Sequence, residues 1–167
     1  MSTRARGLRG PAGRGPVCPA QAYGDSCVRP LQWCALLHEI GLAVSQTGYH
    51  KHAAYLIENA DMPGFTAREQ KLMARLMLAQ KGNLRKVADA LPDADFAKAV
   101  LALRMAIVLM HARTGRPLSS ELKLRMKNRI DLEIRRTALL GHPTLAFWIE
   151  KEQECWDEVD IDFSVAP

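Results

Sequence analysis

LLHEIGL (residues 36–42) and GYHKH (residues 48–52) place three of the five histidines within fifteen residues, beside a carboxylate and a lysine. Apolar residues on both sides follow the spacing of amphipathic helices, which brings these polar groups to the edge of a core. We therefore expect a functional site of this chain to lie here.

His38 and Glu39 allow two interpretations. Imidazole and carboxylate groups are suitable ligands for a divalent cation, which would make the pair part of a metal or phosphate site. Alternatively, His38 is a half-buried histidine whose hydrogen bonds are satisfied, and Glu39 is its solvated neighbour. Adjacent helical residues point about 100° apart and need further ligands to bind one ion, so the spacing favours the second interpretation.

His50, Lys51 and His52 open the next predicted helix. The two histidines diverge on a helix and cannot easily bind the same ion. At a helix N-terminus, however, His50, Lys51 and free backbone N–H groups form a plausible anion cradle. Simple polarity of a helix start explains the same residues equally well.

Four further cations are candidates for anion contacts, namely Lys81, Arg85, Lys86 and Arg104. The first three flank Gly82, and charge runs of this kind usually form solvated faces. Arg104 lies in an apolar run, where a cation needs a partner. That partner is expected to be Glu39, Asp61 or a bound anion. The sequence contains none of the motifs GxxxxGK[ST], GxGxxG, GxSxG and HExxH.

Periodic apolar residues predict the helices around these groups. Pro30 suits the first turn of a first helix, whose inward face would be Trp33, Leu36, Leu37, Ile40 and Val44. A second helix is predicted over residues 49–59. TARE (residues 66–69) is a capping box that opens a third.

Two more helices complete the helical part. Asn83 can cap a short helix over residues 84–91. Asp93 begins a long apolar helix, which Gly115 and Pro117 end.

Beyond residue 117 the apolar period changes from about 3.6 to 2. Residues 122–126 and 130–134 alternate apolar and charged side chains around a turn at 127–128, which predicts a β-hairpin with opposite charges on its two strands. A helix over 143–158 follows, and then a third strand that contains Val159, Ile161, Phe163 and Val165. The prediction is a mostly α-helical protein: a tail (1–29), a helical domain (30–116) and a small β-β-α-β subdomain (117–167).

The composition suits one compact domain with a small appendage, since 48% of the 167 residues are hydrophobic. Most of the net charge of +5 comes from residues 1–29, which contain five arginines and one aspartate; the rest has 18 basic and 17 acidic residues. A nearly neutral folded part argues against nucleic acid as a partner. The tail is rich in glycine and proline and is expected to be disordered.

Four cysteines without C-x-x-C or metal spacing indicate reduced thiols and a cytoplasmic protein. The most apolar run, residues 96–110, contains Lys98 and Arg104 and is too short to span a bilayer. No membrane partner is expected.

Four blocks carry a family resemblance. WCALLHEIGL (33–42), SQTGYHKHAAYL (45–56) and NADMPGF (59–65) resemble the C-terminal region of bacterial exopolyphosphatases of the Ppx/GppA phosphatase family, and IEKEQECW (149–156) is similar to the closing helix of that region. The resemblance covers residues 30–163. It implies an HD-like helical domain, related to HD-type metal phosphohydrolases, followed by a small α+β domain.

The resemblance also implies a homodimer that helps to guide a polyphosphate chain. In full-length members, catalytic ATPase-fold domains that use Mg²⁺ precede this region, and residues 1–29 contain no counterpart of them. We therefore expect no cofactor in this chain, no activity from the chain alone, and a catalytic half that an upstream reading frame would supply.

The chain departs from HD-type enzymes at two places. His38-Glu39 stands where those enzymes have His-Asp, and LRMAI (103–107) runs through the expected position of the last metal-binding aspartate. Ala106 and Ile107 cannot coordinate a metal, so the metal shell would be incomplete.

The leading hypothesis is a fragment that binds polyphosphate and supports dimerisation, with no catalytic or metal-binding residue of its own. Its predicted contacts are His50, Lys51, His52, Lys81, Arg85 and Arg104. The alternative is a stand-alone HD-type metal-dependent phosphohydrolase that uses His38, Glu39, His50 and His52. A third hypothesis is a structural remnant without a ligand, in which His38 only makes hydrogen bonds within the core.

Overall fold

The computed structural model describes residues 25–111, 122–127 and 129–166. Its elements, in chain order, are α1 (Asp25–Leu37), a first 3₁₀ helix (Ile40–Ala43), α2 (Tyr49–Asn59), α3 (Ala67–Ala79), a second 3₁₀ helix (Leu84–Val87), α4 (Ala94–His111), β1 (Leu122–Met126), β2 (Ile130–Ile134), α5 (Arg136–Gly141), α6 (Pro143–Asp157) and β3 (Phe163–Ala166). The predicted fold class, a mostly α-helical protein with a small C-terminal α+β subdomain, is confirmed.

Helix α1 begins five residues before Pro30, and this changes two predictions. Residues 25–29 are helical rather than part of a disordered tail, and Pro30 lies inside the helix rather than in its first turn. Residues 1–24 lie outside the described part of the chain.

The predicted inward face of the first helix was wrong except at Leu37, which is partly buried and packs against the core. Cys27, Leu31 and Cys34 are the buried apolar residues of α1, whereas Leu36 is 74% exposed. Trp33, Ile40 and Val44 are exposed as well. The helix ends at Leu37 and the chain turns into the first 3₁₀ helix, so the apolar period does not continue beyond that point.

Gly41 allows the first 3₁₀ helix to pack directly against the start of α2. A Cβ atom at this position would lie 1.8 Å from the Tyr49 carbonyl oxygen and 2.8 Å from the Ala53 nitrogen. No side chain fits in that space, because both contacts are with backbone atoms. The glycine of LLHEIGL therefore sets the position of the GYHKH helix start.

Helices α2 and α3 pack together, and both predictions about their ends are confirmed. Helix α2 spans Tyr49–Asn59, and Thr66 and Glu69 form the expected capping box at the start of α3. Gln70 ties the pair together, because its Nε2 donates to the carbonyls of Ile57 and Ala60 at 2.7 Å each.

Helix α4 is the centre of the core, with most of its residues buried. Asp93 caps its start as predicted, since Oδ1 accepts from the Asp95 and Phe96 amides at 2.9 and 3.3 Å. Gly115 and Pro117, the predicted end signals, lie outside the described residues. Within the described ranges, no helix is long and apolar enough to cross a membrane.

The C-terminal subdomain contains a three-stranded sheet in the order β1-β2-β3. The hairpin β1–β2 is antiparallel as predicted, and β3 pairs parallel to β2. The third strand begins at Phe163, later than expected, because the chain at Val159 and Ile161 donates backbone hydrogen bonds to the Trp156 carbonyl instead. Helix α6 matches its prediction within one residue, and the short α5 was not predicted.

Candidate anion-binding site

Arg104 is a buried residue of α4 whose partner is Glu152 of α6. The side chain is 2% exposed, and its Nε and Nη2 donate to the two carboxylate oxygens of Glu152 at 2.7 and 2.9 Å. The predicted partners, Glu39, Asp61 or a bound anion, were wrong. Their common premise, that a buried guanidinium needs a partner, is confirmed.

The same guanidinium also holds the end of α3. Its Nη1 donates to the carbonyl of Ala79 at 2.7 Å and to that of Gly82 at 2.9 Å. With four hydrogen bonds and almost no exposed surface, Arg104 acts as a structural clamp. It does not present its donors to an incoming anion, so we remove it from the predicted contacts.

Lys86 stands beside this clamp on the second 3₁₀ helix. It is half-buried, and its Nζ donates to the Lys81 carbonyl. A Cβ atom at Gly82 would lie 3.8 Å from this Nζ and would meet no other atom within 4 Å. The amine therefore borders open space above the glycine.

The N-terminus of α2 contributes the other cations. Gly48 precedes the helix in the left-handed conformation with φ 69°, and no side chain caps the first turn. Within this turn the Lys51 N–H donates to the Gly48 carbonyl at 2.8 Å, and no capping side chain accepts from the N–H groups of Tyr49 and His50. Lys81 reaches this turn from the end of α3, with its Nζ 5.0 Å from the centre of the Tyr49 ring.

The pKa shifts of His50 and Lys86 share neighbouring cations as a cause, which indicates one group. The pKa of His50 is lowered to about 4, by burial and then by Lys86, Lys51, Lys81 and Arg104. The pKa of Lys86 is lowered to about 8, by burial and then by Arg104 and Lys51. We call His50, Lys51, Lys81 and Lys86 the basic cluster.

The basic cluster lacks local compensation. In the part of the chain that the structure describes, none of its four members makes an ion pair with a carboxylate. The Nδ1 atom of His50 is buried and has no hydrogen-bond partner there. Both features favour the binding of a group that carries negative charge and oxygen atoms.

Two predicted contacts are not joined to the cluster by any contact among the described residues. Arg85 is exposed, and its Nε lies 4.0 Å from a carboxylate oxygen of Glu158. His52 is half-buried on α2, two residues beyond His50, where the helical twist turns it to another side. The structure thus brings together three of the six predicted contacts, His50, Lys51 and Lys81.

Sequence reasoning missed Lys86 as a cluster member and Glu152 as the partner of Arg104. Lys86 was noticed beside Gly82 but was assigned to a solvated face together with its neighbours. Glu152 lies one helical turn before Trp156 in a helix with several exposed carboxylates, so its burial had no signature in the sequence.

His38 occupies a structural position at the end of α1. Its Nδ1 donates to the Ala35 carbonyl at 2.9 Å, its Nε2 lies 3.8 Å from Glu39, and its own carbonyl accepts from Gln80 at 3.1 Å. Among the described residues, no group of three or more His, Cys, Asp or Glu side chains could hold a metal ion. The alternative of a stand-alone metal phosphohydrolase is therefore not favoured.

Comparison with known proteins agrees with the fold. Residues 20–153 match the family model described as Ppx/GppA phosphatase, domain III. A guanosine-5'-triphosphate,3'-diphosphate pyrophosphatase of Pseudoalteromonas translucida is 32% identical over 127 residues, which are 72% of this chain and 25% of the relative. A protein of the same name from Aeromonas hydrophila is 36% identical over 101 residues, or 58% of this chain and 20% of the relative.

The matched segment thus spans only a fifth to a quarter of the length of these curated relatives. The relatives carry the name of guanosine pentaphosphate pyrophosphatases, whereas the sequence blocks suggested exopolyphosphatases. The family level is common to both and rests on a match that covers most of the chain. The protein belongs to the Ppx/GppA phosphatase family and corresponds to its C-terminal region, domain III.

Proposed function

We propose that this domain binds the phosphate chain of a polyanionic substrate, in the first place linear polyphosphate, at the basic cluster. The observation that carries the proposal is the group of His50, Lys51, Lys81 and Lys86, which come from α2, the segment after α3 and the second 3₁₀ helix and lack a carboxylate partner among the described residues. Hydrolysis itself, the release of a terminal phosphate, would be carried out by the part of longer family members that this domain does not match.

A phosphate chain suits the cluster for a simple reason. His50 and Lys51 belong to the uncapped first turn of α2, and the Lys81 amine lies 5.0 Å from the Tyr49 ring of that turn, where the helix dipole also favours negative charge. Each phosphate of the chain offers charge and acceptor oxygens to these donors. A repeated anion can therefore replace the missing carboxylates at several cations at once.

The names of the relatives make a guanosine nucleotide with a phosphate chain the competing ligand. Both candidate ligands share linked phosphates and differ in the nucleoside. Tripolyphosphate and guanosine 5'-triphosphate therefore form a matched pair of probes. Equal affinity for both would assign the cluster to the phosphates alone, and a preference for the nucleotide would correct our choice of polyphosphate.

We further propose that the domain self-associates as a homodimer. Exposed apolar side chains on α5 and α6, Leu140, Phe147 and Trp148, support this proposal. Leu140 is 78% exposed, which is costly for a leucine that meets only water. Sedimentation equilibrium of the wild type and of Leu140→Asp tests it: a dimer is expected for the first, and a monomer for the first would overturn it.

The binding proposal is tested by titrating the chain with medium-length polyphosphate at pH 7. Lys51 is exposed, so Lys51→Ala leaves the fold intact, and we expect a loss of affinity of about five- to tenfold, as for one charge-assisted contact. Lys71→Ala on α3 is the matched control and should bind as the wild type does. His52→Ala should also have little effect, because His52 is not joined to the cluster.

Salt provides a second criterion for the same experiment. Contacts made by charge weaken as ionic strength rises, so the affinity should fall steeply between low and physiological salt. The same affinity for the wild type and for Lys51→Ala, or binding that salt does not weaken, would contradict the proposal.

A further inference from the structure

The space beside Lys86 suggests a chemical role that goes beyond anion binding. The amine lies next to Gly82, where a side chain would meet only this Nζ within 4 Å. Gly82 itself is exposed, so its Cβ side is where we expect a small molecule to approach the half-buried amine.

Lys86 differs from other lysines of the chain in its surroundings. Lys98, Lys123 and Lys151 each lie within 4.0 Å of a carboxylate, whereas the described contact of the Lys86 amine is the Lys81 carbonyl. A neutral amine can donate one hydrogen to this carbonyl and still keep its lone pair.

The charged and titratable groups that act on Lys86 come from three helices. Lys51 approaches from α2, Arg104 from α4 and Cys155 from α6, and the two cations lower the pKa of the amine while Cys155 acts weakly in the other direction. Burial is the largest cause, and together these effects bring the pKa to about 8. About a tenth of the amine is therefore neutral and nucleophilic at pH 7, and about half at pH 8.

We propose that Lys86 is a site of acylation by acyl phosphates, with the basic cluster holding the phosphate group of the reagent. The proposal rests on the proposed function, because the same cations would bind the phosphate. Acylation of Lys86 would remove one positive charge from the basic cluster and so lower the affinity of the cluster for polyphosphate.

The reaction balances without any further reagent. The lone pair of the neutral Lys86 Nζ attacks the acyl carbon, and a C–N bond forms. The C–O bond to the phosphate breaks, and inorganic phosphate leaves with the electron pair. The nitrogen releases one proton, and the product is an amide.

Acetyl phosphate is the probe, with the acetylation rate of each lysine measured by peptide mass spectrometry at pH 8. If amine nucleophilicity follows the Brønsted dependence known for thiols, Lys86 should react about tenfold faster than an ordinary exposed lysine. Lys71, exposed on α3, is that reference. Lys151, whose pKa is raised by its hydrogen bond to Glu154, should be slower still.

Further measurements separate the effects of amine reactivity and of phosphate binding on the acetylation rate of Lys86. Tripolyphosphate should slow the acetylation of Lys86 and leave Lys71 unchanged. With acetic anhydride, which carries no phosphate, the ratio of the Lys86 rate to the Lys71 rate should be smaller than with acetyl phosphate. Lys51→Gln should slow Lys86, because it removes a neighbouring positive charge, and Lys71→Gln should not.

A Lys86 that reacts no faster than Lys71 with acetyl phosphate overturns the inference, even if acetic anhydride prefers it. The polyphosphate titration of the same sample then shows which proposal has failed. Normal binding with unselective acetylation removes only the acylation site, and absent binding removes the proposed function as well.

Discussion

The hairpin β1–β2 pairs its basic side chains with a carboxylate, whereas the basic cluster has no carboxylate partner among the described residues. In the exposed hairpin, Arg125 and Lys123 lie 3.5 and 4.0 Å from Glu133, although water alone would solvate all three. In the basic cluster, the half-buried His50 and Lys86 have lowered pKa values and no carboxylate partner among the described residues. A half-buried lysine without a described carboxylate partner, beside the exposed Lys51 and Lys81, indicates a surface suited to an external anion.

The clamp Arg104–Glu152 beside the basic cluster is a buried pair, and removing its carboxylate should have the largest effect. Glu152→Gln leaves Arg104 buried without a compensating charge, which costs about 3–5 kcal/mol of unfolding free energy. Urea denaturation at pH 7 measures this change. Glu154→Gln, whose carboxylate makes an exposed pair with Lys151, is the control and should cost less than about 1 kcal/mol.

A loss as small as that of the control would show that the buried pair is no more important than an exposed one. Ion pairing would then contribute no more to the free energy of unfolding in the buried clamp than it does at the exposed surface.

Gly41→Ala should have the next largest effect, about 2–3 kcal/mol, because the new Cβ collides with backbone atoms of Tyr49 and Ala53. The start of α2 must move away, so polyphosphate affinity should also fall, whereas the hairpin should remain unchanged. Chemical shifts of the hairpin amides and a polyphosphate titration measure the two outcomes. Gly64→Ala, where a Cβ meets nothing within 4 Å, tests strain from positive φ without collision.

Several features that depend on residues close together in the sequence were predicted correctly. Thr66, Asn83 and Asp93 cap within a few residues of themselves, and all three caps were predicted correctly. The helix after Asn83, predicted over residues 84–91, is a 3₁₀ helix that ends at Val87. The hairpin was found because alternation of apolar and charged residues is a local signal. The partner of Arg104 lies 48 residues further along the chain, and only tertiary packing brings the two together.

The difference between local signals and tertiary packing also explains which residues of the basic cluster were predicted. His50 and Lys51 were found because a helix N-terminus is visible in the sequence. Lys86 joins them only through the turn at Gly82 and the position of α4, which no local pattern encodes. The failed inward face of α1 has a related cause, since the stop at Leu37 lacks a glycine or proline signal.

The third expected effect concerns pH and is smaller. The pKa of His50 is about 4 in the folded protein and 6.5 as an ordinary value, so the unfolded chain binds more protons between these values. Stability should therefore decrease as pH falls from 6.5 towards 4, by an amount reduced by solvent screening. The unfolding midpoint of His50→Gln should change less over this range than that of the wild type, and equal changes would contradict the lowered pKa.

The smallest effect is expected in the hairpin. Glu133→Gln removes the shared carboxylate of Lys123 and Arg125, and exposed pairs of this kind contribute about 0–1 kcal/mol. Thermal unfolding should shift only slightly, and polyphosphate affinity should stay the same. A marked gain in affinity would show that the freed hairpin cations bind polyphosphate too, which would remove the contrast between the regions.

We propose that phosphate groups bind to the basic cluster in place of the carboxylate partners that it lacks. The titration of the His50 imidazole tests this claim most directly. Followed by NMR in the free chain, His50 should titrate with a pKa of about 4. With saturating polyphosphate, the added negative charge should raise this pKa by a unit or more, roughly the effect of one close opposite charge. An imidazole that titrates at the same pH with and without polyphosphate would contradict the account.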